Sequence, residues 1–147
     1  MEIKRENWVL LALYYAGDKG LSPVQLQKSL FILGENLPKL INDKLEYYHF
    51  TPYNYGPFDV NIYNDALDLS KKRLINIQYS LDKSYPDYVV TEDGLKIAKE
   101  INKTISKEIT NYLEKIIFWI KDLSFYDLLK IIYKSYPQFK IKSVFRE

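Results

Sequence analysis

A mostly α-helical fold with one small β-hairpin is predicted by three features of the chain. Apolar residues recur at helical spacing through most of its 147 residues. Good helix-capping side chains stand just ahead of those runs, at Ser22, Asp59, Thr91 and Ser124. One stretch breaks the pattern: two short β-prone runs, Leu74–Ser80 and Tyr88–Thr91, flank the polar loop Leu81–Asp87.

Taken in order, the first helix is expected over Glu6–Ala16, where Trp8, Leu11, Ala12 or Leu13, and Tyr15 share helical spacing. Gly17-Asp18-Lys19-Gly20 stops it. Ser22-Pro23 starts the second helix, with Ser as cap and Pro preset for the first turn. Val24, Leu26, Leu30, Phe31 and Leu33 form its apolar side, so Gln25, Gln27 and Lys28 are expected to point elsewhere. Gly34 or Asn36, with Leu37-Pro38, ends it. Residues 39–44 form a polar connector with room for one helical turn.

An aromatic strand is expected over Glu46–Phe50, with Tyr47 and His49 on one face and Tyr48 and Phe50 on the other. Tyr55-Gly56-Pro57 makes a tight turn. Asp59 then caps a third helix over about Val60–Arg73, with Val60, Tyr63, Leu67 and Leu74 inward, Ala66 beside them, and Asn61, Asn64, Asp65, Asp68, Lys71 and Lys72 outward. Leu81–Asp87 is the hairpin loop. Thr91 caps a fourth helix, with Glu92 and Asp93 at its positive end. Ile97, Ile101, Ile105, Ile109, Tyr112 or Leu113, and Ile116 continue at near-helical spacing with no marked break. Ser124 caps the last helix, Asp127 partly imitates a capping box, and Pro137 terminates the helix.

Helix, strand, turn-rich loop, strand is the order of a winged helix. The expected architecture is therefore a winged helix-turn-helix core over residues 1–95 and a C-terminal helical extension over residues 96–147. The extension carries a wide apolar stripe, Ile105, Ile109, Tyr112, Leu113, Ile116, Ile117, Trp119, Ile120 and Leu123. Such a stripe either folds back on the core or forms a homodimer through the C-terminal helices.

Composition narrows the function. The chain has no cysteine, which excludes disulfides and thiolate metal sites and fits a cytoplasmic protein. Its N-terminus has no apolar signal core, and its longest C-terminal apolar run, Ile116–Ile120, is too short to span a bilayer. One histidine, His49, no metal-ligand spacing and no glycine-rich phosphate loop leave catalysis without support. No cofactor or metal is expected.

Leu26-Gln27-Lys28 on the second helix, followed by Tyr55-Gly56-Pro57 and Tyr63, resembles the Panacea (SocA-like antitoxin) group of winged-helix proteins over about residues 8–75. That resemblance implies a non-enzymatic module that works by binding, often to a toxin protein.

Two kinds of partner follow, a protein or duplex DNA. The exposed aromatics favour a protein. Tyr53 and Tyr55 sit in the turn and Tyr85 in the wing beside Lys83, and Tyr gives large contact area at low entropy cost. A winged helix also reads DNA, its third helix in the major groove. Asn61 and Asn64 are then candidates for adenine, and Lys71, Lys72, Lys96, Lys99 and Lys103 for phosphate, with Lys107 extending that lysine stripe. Charge is unevenly placed. Residues 1–95 carry ten Lys and Arg against thirteen Asp and Glu, a net of −3, while residues 96–147 carry eleven against six, a net of +5. A DNA-reading lobe normally shows a basic face, and Asp65 and Asp68 on the third helix would repel phosphate.

Overall fold

The computed structural model describes residues 3–37 and 46–145. Among these, six α-helices form: α1 (Glu6–Ala16), α2 (Pro23–Asn36), α3 (Val60–Lys71), α4 (Glu92–Thr104), α5 (Lys107–Ile120) and α6 (Phe125–Ser135). Two antiparallel strand pairs join them, β1 (Thr51–Tyr53) with β2 (Gly56–Phe58), and β3 (Ile75–Gln78) with β4 (Asp87–Val90). The fold is thus mostly helical with two small hairpins, one more than the sequence predicts. No described helix is long and apolar enough to cross a membrane. The connector expected at 39–44 lies outside the described residues.

Side-chain caps set four helix starts. Ser22 accepts from the Gln25 amide while the Gln25 side chain accepts from the Ser22 amide, a complete capping box for α2. Asp59 accepts from Asn61 at α3, Thr91 from Gly94 at α4, and Ser124 from Asp127 at α6. The end of α3 is a Schellman turn, with the Leu74 amide donating to Leu69 and the Arg73 amide to Ser70. Arg73 itself takes the left-handed conformation, φ 63°. The helix accordingly closes at Lys71 rather than running to Arg73.

Helix α1 is the centre of the core. Trp8, Val9, Leu10, Leu11, Ala12, Leu13 and Ala16 are all buried, and α2, α3, α4 and α5 pack around them. The C-terminal stripe closes on this centre: Ile105, Ile109, Leu113, Ile116, Ile117 and Ile120 are buried in the same hydrophobic core, against α1 and α2. Of the two alternatives for this stripe, the chain itself covers most of it, while Phe118 and Trp119 stay on the outer side. Between α1 and α2, Leu21 pairs with Tyr88 of β4 through two main-chain hydrogen bonds of 3.0 and 2.8 Å. Gly20 makes this approach possible. Its φ is +65°, and a Cβ there would lie 2.0 Å from the Tyr88 carbonyl oxygen.

Several expectations are corrected. Glu46–Phe50 forms no strand, and the strands lie at 51–53 and 56–58 instead. Its faces do not alternate: Tyr47 and Tyr48 are both buried, because each hydroxyl finds an oxygen inside, Tyr47 on the Leu30 carbonyl and Tyr48 on Asp65. The inner face of α3 is Ile62, Asp65, Ala66 and Leu69, and Val60 and Leu67 are exposed. Asp65 is buried because Arg5 reaches it with two parallel hydrogen bonds of 2.9 and 3.0 Å and Tyr48 adds a third at 2.6 Å. Gln27 and Lys28 face inward, for reasons given below. The lysine stripe loses Lys107, since an extended residue at Ile105 separates α4 from α5.

Candidate functional site

A groove arises where four elements meet, the start of α2 among them. Two adjacent polar side chains on the inner face of α2 hold the β1–β2 hairpin. Gln27 Nε2 donates to the Asp59 carbonyl at 2.9 Å, and Gln27 Oε1 accepts from the Asp59 amide at 3.1 Å. Lys28 is 2% exposed, and its Nζ donates to the Pro57 carbonyl at 2.9 Å, its one hydrogen bond among the described residues. Burial without a counter-charge pushes the Lys28 amine down to about 7. Asp59 completes the clamp, since its second carboxylate oxygen accepts from the His49 amide at 2.8 Å.

Held this way, the hairpin presents Tyr55 to Phe125 at the start of α6, with ring centroids 5.4 Å apart and edge to face. Gly56, φ +90°, lies directly behind: a Cβ there would be 3.4 Å from the Tyr133 ring and 3.6 Å from Lys28 Cε. The loop between β3 and β4 adds Ser84 and Tyr85. Together with Ser22, Pro23, Val24 and Gln25 of the α2 start, and Leu123, Phe125 and Leu128 around the α6 start, these residues line a groove of about 490 Å³. Its walls are mainly apolar. Tyr55, Tyr85 and Phe125 are each close to half exposed, at 45, 47 and 44%. Lys83 stands in the β3–β4 loop over the Tyr85 ring, 5.7 Å from its centroid, and pairs with Asp87 at 2.7 Å. Such a surface has aromatic area for contact and little fixed charge.

The residues singled out from the sequence fall in three places. Tyr55 and Tyr85 line this groove. Tyr53 does not; it stacks on Phe58 at 4.7 Å. The nucleic-acid candidates are dispersed. Asn61 is half-buried, and the Asn64 side chain donates to it at 3.4 Å. Lys71 is exposed, whereas Lys72 pairs with Glu6 at 2.8 Å, which raises its amine above the ordinary lysine value. The outer face of α3 carries Val60, Asn64, Leu67, Asp68 and Lys71, so its single positive charge meets a single negative one. Lys96, Lys99 and Lys103 are exposed on α4, with Lys103 3.2 Å from Glu100. Phe125 and Leu123 went unnoticed as site residues because they read as ordinary core positions of the last helix. The signal available was a large apolar residue in the first turn, directly after the Ser124 cap.

No group of His, Cys, Asp or Glu side chains among the described residues is arranged to hold a metal ion. No protein-family model matches the chain, and no curated protein matches it.

Proposed function

We propose that this chain is a non-enzymatic regulatory module of the winged-helix type that acts by binding a protein partner, in the manner of an antitoxin. The groove between the wing, the hairpin and the starts of α2 and α6 is the binding surface. One observation carries the reading: Tyr55, Tyr85 and Phe125, from three separate elements, converge half-exposed on one apolar groove. Aromatic anchors clustered on a concave surface are the usual source of protein-binding energy. The partner accordingly presents an apolar side chain or short apolar segment. The winged-helix part is supported by the order of helix, bridging residue, two helices, strand, wing and strand, with Leu21 paired to β4.

DNA binding is the second reading, favoured by the exposed Lys96, Lys99 and Lys103 along α4. The neutral outer face of α3 counts against it, since duplex affinity depends on neutralising phosphate. Two experiments separate the readings. Anisotropy of labelled upstream duplex, from about 50 to about 300 mM salt, is expected to show no specific binding, whereas steep salt-dependent affinity lost in Lys96→Glu/Lys103→Glu supports DNA. In the other, the product of the neighbouring gene is titrated against the wild type and against Tyr85→Ala/Phe125→Ala. Binding by the wild type that weakens in the variant and changes little with salt supports the groove; equal binding by both removes it.

A further inference from the structure

Lys28 does not line the groove but sits at the junction of three of the elements that build it. Its own helix, α2, supplies Pro23 and Val24 to the groove. The carbonyl it bonds belongs to Pro57 in β2, one residue from Gly56 and two from Tyr55. At the same point Tyr133 of α6, the helix that begins with Phe125, closes on Gly56. A lysine here is an expensive choice, because a buried ammonium with one carbonyl partner has lost most of its hydration. Glutamine next door makes the same kind of contact, to Asp59, with no charge to bury.

We infer that Lys28 is a proton-operated latch on the groove: taking up a proton in this buried position loosens the β1–β2 hairpin from α2 and draws Tyr55 away from Phe125. The inference rests on the groove being the working surface and adds its regulation. In the neutral state the amine donates to Pro57 and remains inside. In the charged state the ammonium gains by reaching water, and the path out displaces the hairpin strand that covers it.

The surroundings leave Lys28 as the responsive group. After β2, the carboxylate of Asp59 is engaged by the Asn61 and His49 amides. From α6, the Tyr133 hydroxyl donates to Ser143, and burial holds it above the ordinary tyrosine value. Burial also raises Tyr63 of α3, to about 12, so both rings stay neutral near pH 7. On α1, Glu6 is paired with Lys72, and α5 turns Glu108, Glu114 and Lys115 to solvent. Desolvation alone moves the Lys28 amine to about 7, with no charged neighbour contributing.

The test is an NMR titration of the free protein from about pH 5.5 to about pH 9, a window centred on the Lys28 value. The Lys28 13Cε resonance reports the proton directly, and the amides of Val24, Tyr55, Gly56 and Phe125 report the groove. The expected result is one common midpoint near 7 in all of them. The amide shifts are absent in Lys28→Met and retained in His49→Gln, a control needed because histidine ordinarily titrates in this window. A Lys28 resonance that titrates in the ordinary lysine range overturns the latch, without need of any variant. So do groove amides that stay fixed while Lys28 titrates, or that shift equally in Lys28→Met. No partner is present in this experiment, so its failure leaves the protein-binding reading to stand or fall on the partner titration.

Discussion

The Lys28 amine donates to the Pro57 carbonyl at 2.9 Å, which joins Leu26-Gln27-Lys28 to Tyr55-Gly56-Pro57 in space although 29 residues separate the bonded pair. These are the two short motifs that stand out in the sequence. Their contact fixes the hairpin on α2 and, through Tyr55, one wall of the groove.

Stability is expected to depend on pH through this lysine. Its folded value is lowered to about 7 from 10.5, so between those values the unfolded chain binds the extra proton. The cost of burying Lys28 is therefore fully present below about pH 7 and relieved as pH rises toward about 10.5. Urea unfolding is expected to show stability rising by a few kcal/mol across that window, and a flatter profile in Lys28→Met. Above about pH 10 the sign reverses. Tyr47, Tyr48 and Tyr63 are all raised by burial, Tyr63 to about 12, so stability present below the ordinary tyrosine value is lost as pH climbs through the folded values.

Asp65→Ala is expected to destabilise the fold by about 2–3 kcal/mol, because it strips Arg5 of its carboxylate and leaves the Tyr48 hydroxyl only the longer bond to the Arg5 carbonyl. Arg5→Met alone leaves the carboxylate with Tyr48 and costs less. Chemical denaturation of both single variants and the double variant checks this, and a double variant that loses clearly less than the two single losses combined is the expected sign of coupling.

Arg73→Gly is expected to stabilise the protein by about 1 kcal/mol, since Arg73 occupies the left-handed position of a Schellman turn that glycine adopts without strain. A rise in thermal midpoint checks it. A fall would show that the Arg73 side chain contributes more than its backbone costs.

Tyr85→Ala and Phe125→Ala are expected to weaken partner binding by about tenfold or more each while changing stability little, because both rings are close to half exposed. Tyr53→Ala, outside the groove, is expected to leave binding unchanged. Titration calorimetry with the partner, beside thermal melts of each variant, checks both parts.

Much of the framework was legible because local chemistry decides it. Ser22, Asp59, Thr91 and Ser124 all cap as their types and positions suggest, and the β3–β4 hairpin forms around the polar loop 81–86. The failures are long-range. Gln27 and Lys28 look like solvent-facing residues until Asp59 and Pro57 arrive some thirty positions later to accept and donate. Asp65 looks like an exposed acid until Arg5, sixty positions earlier, pairs with it. Tyr47 and Tyr48 break strand alternation because their hydroxyls find separate partners inside. In the groove, Tyr55 and Tyr85 were visible as polar-loop aromatics, whereas Phe125 was hidden in a helical apolar pattern whose first turn happens to face outward.

The most direct test of the central claim is photo-crosslinking in cells, with a benzophenone amino acid placed at Tyr85 in the groove, and separately at Lys99 on α4. The expected result is a discrete crosslinked protein from position 85 that disappears when Phe125→Ala is added, with neither a protein nor DNA captured at position 99. DNA captured at position 99, with nothing at position 85, would contradict the account.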